Sequence, residues 1–244
     1  MINLGIFGDS FADDTNTNNS ESWIDVIRKT EKYKIINYAR AGSSFWYSYK
    51  QFIEHNQKYE KNIVLVTTPH RLVIPEDSNI DVPKFINYQQ VLERFYSLND
   101  NQESLKKDYE LIKNYYEKIH NWEQDESLHA LMLKEIINLR PDTIVYYSIP
   151  PSKDIFSLFH VVMFECAALN IDILLRDKWT YTSNMLTKLH QQGRRDSRKC
   201  HMTEENNQVV GEMFVKKLEG RTAEITESDL KRPSKPIDFY FTLT

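Results

Sequence analysis

The stretch INLGIFGDSF, residues 2–11, carries the strongest fold signal in the chain. Its apolar part, 2–7, has the composition of a buried β-strand, and the polar residues Gly8, Asp9 and Ser10 follow it directly. In parallel sheets, ligands bind beyond the carboxyl ends of the strands, which is where this serine falls. Ser10 is therefore either an ordinary turn serine or a hydroxyl that the rest of the protein activates.

Further apolar runs alternate with helix-length segments along the chain. They are KIINYA (34–39), NIVLVTT (62–68), TIVYYSI (143–149) and NIDILL (170–175). Strands that are separated by helices predict right-handed βαβ crossovers. We therefore predict a three-layer α/β/α sandwich of flavodoxin-like type, with a parallel sheet of about five strands.

The segments between these strands contain residues that are typical of helix ends and of helical spacing. We predict a helix over 21–29 with Ser20 as its N-cap, and a second helix within 44–59. The last helix has Thr203 as its cap, acidic residues in its first turn and Gly220 as its stop.

The domain organisation follows from these elements. Residues 1–220 are expected to form one domain, in which 76–140 adds two or three helices between the third and fourth strands. The tail, 221–244, is polar and then ends in the apolar IDFYFTLT. We expect this tail to dock on the domain or to reach a partner, including a second copy of the chain, because exposed aromatic rings are costly in water.

Composition excludes several function classes. The 244 residues carry a net charge of −4, so no cationic field draws the chain to nucleic acid or to an anionic membrane. No apolar stretch approaches the ~20 residues of a membrane span, and no leader pattern is seen, so a cytoplasmic protein is expected. Cys166 and Cys200 match neither a disulfide framework nor a zinc pattern. No metal and no cofactor are expected.

Three residues at the predicted carboxyl edge of the sheet could support nucleophilic catalysis. A serine hydroxyl needs a base to take its proton, and the oxyanion that forms needs hydrogen-bond donors. Ser10 could supply the hydroxyl and one backbone N–H, and Gly42, after the second strand, could supply another N–H. His201 precedes the last helix at the same edge and could act as the base.

On these residues the sequence resembles the GDSL or SGNH hydrolases, in a divergent form like that of phage proteins. The resemblance lies in Gly8-Asp9-Ser10 with Phe11 in place of the usual Leu, in Gly42, and in His201 within CHMTEENN. It implies a Ser10 nucleophile, a His201 base and an ester substrate, with an acetyl or other acyl group on a carbohydrate or small molecule. It also leaves a virion-associated protein as an alternative setting.

Two positions depart from the family pattern. The third block of the family supplies an asparagine, whereas here the strand ends in Thr67-Thr68-Pro69-His70-Arg71. Thr68 or His70 would stand in for the asparagine, and Arg71 would add positive charge. The family aspartate three residues before the histidine is Arg198 here, and the nearest carboxylate upstream is Asp196, five residues before the histidine.

Each candidate also has a purely structural interpretation. Gly42 could only serve the turn from strand to helix, His201 could lie on the surface, and Asp9 could hold its turn or support the site. The loss of the family residues favours a second hypothesis, an inactive binding or structural protein such as a virion component. A third hypothesis uses LGIFGDSF as a phosphate loop, although G-x-G-x-x-G and G-x-x-x-x-G-K-[ST] are both missing.

Overall fold

The computed structural model describes most of the N-terminal two thirds of the chain and one C-terminal helix. The described residues are 1–14, 21–67, 71–74, 85–98, 100–147 and 204–223. The predicted fifth strand, 170–175, and the tail beyond 223 lie outside them.

Secondary structure in these ranges alternates as the apolar runs predict. The strands are β1 (Ile2–Phe7), β2 (Tyr33–Asn37), β3 (Lys61–Val66), β4 (Arg71–Val73), β5 (Phe85–Asn87) and β6 (Ile144–Tyr147). The α-helices are α1 (Trp23–Arg28), α2 (Phe45–His55), α3 (Tyr88–Ser97), α4 (Glu103–Lys118), α5 (Trp122–Leu139) and α6 (Glu204–Leu218). Short 3₁₀ turns cover Asn56–Lys58 and Asp100–Gln102.

Four of the strands form one parallel sheet in the order β2-β1-β3-β6. In its register, Ile6 of β1 is opposite Asn37 of β2 and Ile63 of β3. The carboxyl ends of these three strands therefore meet at one edge of the sheet. The predicted α/β fold class, a parallel sheet with flanking helices, is confirmed.

Helices cover both faces of this sheet because β1 and β3 are apolar on both sides. One core cluster joins α1 and α6 to the sheet face that carries Leu4 and Ile6, and in it the rings of Trp23 and Phe214 pack at a tilt with 4.6 Å between their centroids. The other cluster joins α2 and α5 to the face that carries Phe7. This burial of large apolar side chains on both sides is what holds the three layers together.

The first helix begins later than its predicted cap. Its N-cap is Ser22, whose Oγ accepts a hydrogen bond from the Asp25 N–H at 3.3 Å, while the Asp25 carboxylate accepts from the Ser22 N–H at 2.9 Å. This reciprocal capping box satisfies two backbone donors that the helix itself leaves unpaired. Ser20, the predicted cap, lies outside the described residues, and Ser22 takes its role.

The segment between β3 and β6 divides into two parts. Helix α5 belongs to the main sandwich, because Leu133 and Ile136 pack on the sheet with Val64. Helices α3 and α4 instead build a separate core cluster, formed by Ile74, Val91, Tyr109, Ile112 and Tyr116. The strands β4 and β5 form an antiparallel pair beside this cluster. Among the described helices, none has both the length and the apolar character that crossing a bilayer requires.

Candidate active site

Ser10 lies in a tight turn directly after β1, in what we call the first loop, residues 8–14. The carbonyl of Asp9 accepts hydrogen bonds from the N–H groups of Ala12 and Asp13, both at 3.0 Å. These bonds wrap the backbone into a single helical turn that carries Ser10 on it. Ser10 is partly exposed, whereas both Gly8 and Asp9 before it are buried.

Two residues before Ser10 make this turn possible. A Cβ atom on Gly8 would lie 2.9 Å from the Cβ of Leu65 and 3.0 Å from the Cβ of Ala12, so only glycine fits between β3 and the loop. The carboxylate of Asp9 accepts a hydrogen bond from the Phe11 N–H at 3.1 Å. The sequence allows Asp9 either to hold its turn or to support the site, and this bond holds the turn.

A second loop, residues 38–43, follows β2 and is bonded to the first. Three of its backbone N–H groups donate to β1 or to the first loop. The N–H of Tyr38 donates to the Ile6 carbonyl (2.8 Å), that of Arg40 to the Gly8 carbonyl (3.1 Å) and that of Ala41 to Asp13 Oδ2 (2.6 Å). Ser43 adds a side-chain bond from its Oγ to the Gly8 carbonyl at 3.2 Å. The two loops therefore form one hydrogen-bonded unit at the edge of the sheet.

Gly42 is the one residue of this loop whose backbone N–H has no acceptor among the described residues. Ala39 N–H donates to Asn37 Oδ1 at 2.9 Å and Ser43 N–H donates to the Arg40 carbonyl at 3.0 Å, so five of the six backbone donors in 38–43 are paired. Within the described part of the chain, no acceptor receives the N–H of Gly42. Its φ of +78° is a conformation that favours glycine, and a Cβ atom there would meet nothing within 4 Å. A backbone donor with open space beside it can serve an oxyanion.

The negative charges of the first loop are held in different ways. Asp13 is 6% exposed and bonds Ala41. Asp14 forms an ion pair with Arg28 and accepts a hydrogen bond from Asn37 Nδ2 at 2.9 Å. Burial opposes the charge of Arg28, but its hydrogen bonds to Asp14 and Asp25 outweigh this, so the pKa of Arg28 is raised.

Helix α6 is bonded to the first loop through Trp23. The indole Nε1 of Trp23 donates to the Phe11 carbonyl at 2.8 Å, and the backbone N–H of Trp23 donates to Asn207 Oδ1 at 3.2 Å. Phe11 is the residue after Ser10, and Asn207 lies in the first turn of α6, six residues after His201. One tryptophan thus connects the neighbour of the candidate nucleophile to the helix that follows the candidate base.

The remaining predicted site residues have the following places. His201, Asp196, Thr68 and His70 lie outside the described residues, so their predicted roles stay predictions. Arg71 is the first residue of β4 and is opposite Asn87 in the antiparallel pair. Thr67, which ends the β3 run, is buried, and its Oγ1 has no hydrogen-bond partner within the described ranges.

Sequence reasoning missed two residues of this site. Asp13 and Trp23 make the bonds that join the first loop to its neighbours, yet neither belongs to a recognisable motif. Metal binding has no candidate in the described residues, where no group of three or more His, Cys, Asp or Glu side chains is suitably clustered.

Comparison with known proteins gives a likeness of fold. No protein-family model matches the chain, and no curated protein matches it in sequence. It is similar to solved structures of a lipase/acylhydrolase, a lipolytic G-D-S-L protein and an acetyl xylan esterase. A lipase/acylhydrolase from Enterococcus faecalis shares 13% identity at a TM-score of 0.41, over 93% of this chain and 100% of that one. The likeness is of the kind that the sequence motifs predicted.

Two further solved structures are similar to the same extent. A member of the lipolytic G-D-S-L family from Veillonella parvula shares 11% identity at a TM-score of 0.37, over 87% of this chain and 95% of that one. An acetyl xylan esterase from Geobacillus stearothermophilus shares 12% identity at a TM-score of 0.42, over 92% and 97%. Likenesses this distant concern the fold alone.

Proposed function

We propose that this chain is an ester hydrolase in which Ser10 is the nucleophile and His201 the general base. The observation that carries the proposal is the N–H of Gly42, which no acceptor among the described residues receives, in a loop that is hydrogen-bonded to the loop of Ser10. A partly exposed serine beside an available backbone donor is the arrangement that acyl transfer requires. Both groups belong to the carboxyl edge of a parallel sheet, where ligands bind in this class of fold.

The proposed oxyanion hole consists mainly of backbone donors. The N–H groups of Ser10 and Gly42 would hold the oxygen that becomes negative when the carbonyl is attacked. Thr68 or His70, which follow β3, would contribute a side-chain donor in place of the asparagine of the family, and Arg71 would add positive charge nearby. β3 lies next to β1 in the sheet, so its carboxyl end lies at the same edge.

The pairing of Ser10 with His201 is supported by the bridge through Trp23. Its two hydrogen bonds bring the first turn of α6 to the residue after Ser10. His201 lies three residues before α6 begins, which is a distance of at most about 11 Å along the chain. Asp196, five residues before the histidine, would orient the imidazole and stabilise its charged form.

The reaction then proceeds in two half-reactions. Ser10 Oγ attacks the acyl carbon, its proton moves to His201, and the tetrahedral oxyanion forms in the backbone hole. Collapse expels the alcohol, which takes the proton from His201, and leaves an acyl-serine. Water gives one proton to His201 and attacks this ester, Ser10 regains that proton as the carboxylic acid leaves, and the acid then gives up its own proton to solvent. A small-molecule or carbohydrate ester, such as an acetyl ester, is the proposed substrate.

A fluorophosphonate probe tests the nucleophile, because it reacts only with an activated serine. We expect labelling of the intact protein at Ser10, complete loss in Ser10→Ala and strong loss in His201→Ala. Ser97→Ala, at the exposed end of α3, and His55→Asn, on α2, are the matched controls and should label normally. Labelling that persists in Ser10→Ala would contradict the proposal.

A second candidate function, an inactive binding or structural protein, is favoured by one observation. Thr67, the described residue that follows β3, is buried and carries no amide, and no asparagine occurs in 67–71, where the family has its oxyanion asparagine. The same probe separates the two functions. Folded wild-type protein that neither labels nor hydrolyses small acyl esters supports the binding protein.

A further inference from the structure

The carboxylate of Asp13 makes the shortest of the described hydrogen bonds between the two loops. Its Oδ2 accepts from the Ala41 N–H at 2.6 Å, and the residue is 6% exposed. A bond from a backbone N–H to a buried carboxylate is charge-assisted and therefore stronger than a bond between neutral groups. Asp13 also lies on the same turn as Ser10, because its own N–H donates to the Asp9 carbonyl.

Hydrogen bonds hold the residues immediately before and after Gly42 in the chain. The N–H of Ala41, immediately before Gly42, is held by Asp13. Ser43, immediately after it, is held by its N–H to the Arg40 carbonyl and by its Oγ to the Gly8 carbonyl. With both neighbours held, the N–H of Gly42 has little freedom to rotate.

We propose that Asp13 is a positioning residue for the oxyanion hole, which fixes the Gly42 N–H relative to Ser10. The inference rests on the proposed function, because the Gly42 N–H that Asp13 would position has a role only if an oxyanion forms. Asp13 does not touch the substrate. It joins the loop of the nucleophile to the loop of the donor, so that both keep one geometry during the reaction.

Three variants test this role. Asp13→Leu removes the acceptor at similar bulk, and Asp13→Asn keeps an acceptor oxygen without the charge. Asp25→Ala is the control, because it weakens the cap of α1 without touching either loop. Misplacing a catalytic donor by about 1 Å can cost about 10²-fold in rate, so we expect Asp13→Leu to lower kcat and the labelling rate of Ser10 by roughly 10- to 100-fold.

The pattern across the readouts separates positioning from general stability. KM should stay within about threefold of wild type, because the oxyanion exists only in the transition state and the intermediate. Asp13→Asn should recover most of the lost rate. Asp25→Ala should lower Tm and leave the labelling rate unchanged. Should Asp13→Leu fail to fold, Asp13→Glu replaces it, since the longer side chain moves the carboxylate away from its present position.

The results that would contradict the role of Asp13 differ from those that would contradict the proposed function. Wild-type rates in Asp13→Leu or Asp13→Glu, or an equal loss of rate in Asp25→Ala, would overturn the positioning role while leaving the hydrolase in place. Folded wild-type protein that does not label would overturn the proposed function, and the role of Asp13 with it.

Discussion

Gly211 of α6 lies directly against Val26 of α1. A Cβ atom on Gly211 would be 2.5 Å from the Cβ of Val26 and 2.9 Å from the carbonyl oxygen of Trp23, closer than side-chain atoms approach in folded proteins. The glycine therefore sets the spacing of the two helices. The same pair of helices carries the bridge from Phe11 through Trp23 to Asn207.

Gly211→Ala is expected to destabilise the protein. Alanine favours helix by about 1 kcal/mol over glycine, but overpacking a tight contact costs about 1–3 kcal/mol, so the helices must move apart. We expect a lower urea midpoint than wild type. The neighbouring exposed position provides the control, Glu212→Ala. An unchanged or higher midpoint for Gly211→Ala would show that α1 and α6 are not in tight contact.

Gly42→Ala and Gly220→Ala should have equal effects on stability and different effects on activity. Both glycines have a left-handed φ, of +78° and +74°, and neither would bring a Cβ within 4 Å of another atom. Each substitution should therefore cost about 1–2 kcal/mol through backbone strain alone. Only Gly42→Ala should lower ester turnover, because Gly220 ends α6 away from the two loops. Alanine keeps the N–H at position 42 and can only displace it, so equal turnover in both variants would show that turnover does not depend on the backbone conformation of Gly42.

Asp25 should contribute stability that depends on acid pH. Burial alone would raise the pKa of Asp25, but hydrogen bonds from Ser22 and Arg28 outweigh it and hold the pKa below its ordinary value. A carboxyl whose pKa is lowered on folding stabilises the protein above its unfolded pKa of about 3.9, and this contribution is lost as the pH falls through the folded pKa.

Urea unfolding of Asp25→Ala at several pH values measures this contribution. At pH 7 we expect a loss of about 1 kcal/mol from the missing cap, and the difference from wild type should shrink below pH 4. Glu110→Gln, exposed on α4, is the control and should show no such trend. A difference that is constant from pH 7 to pH 3 would mean that the charge of Asp25 does not take part.

Arg140→Lys should destabilise the end of the sheet opposite the site. The guanidinium of Arg140 donates to the carbonyls of Asn56 and Tyr59 at 2.9 and 3.1 Å and to that of Glu60 at 3.2 Å. A lysine ammonium is a single point charge and cannot keep this set of bonds, so about 1–3 kcal/mol of unfolding free energy should be lost. Lys134→Gln, exposed on α5, should change the urea midpoint little. A similar midpoint for both variants would contradict this role for Arg140.

The fold was accessible from the sequence because strand burial leaves a local signal. The run 62–68 is almost continuously apolar, and β3 within it is buried along nearly its whole length. Helix ends were less accessible: the helix predicted within 44–59 ends at His55 and tightens into a 3₁₀ turn. The strands β4 and β5 and helix α3 were not predicted individually, because three-residue strands carry too few residues to show a period.

The site was only partly accessible for a related reason. The places of Gly8-Asp9-Ser10 and Gly42 beyond strand ends could be predicted because each follows an apolar run, whereas their roles stay predictions. The bond between Asp13 and Ala41 depends instead on how far β2 extends beside β1, which is a matter of register between two distant segments. Asp9 was ambiguous in sequence because one aspartate can cap a turn or face a ligand.

The position of β1 has one more consequence. This strand has a hydrogen-bonded neighbour on each side, so the strand end from which the first loop starts can move only if ladders with both β2 and β3 break. Such an opening has nearly the cost of unfolding the entire molecule. The loop that carries the proposed nucleophile thus starts from a strand that is held on both sides, and substrate entry must be accommodated by the groups around Ser10.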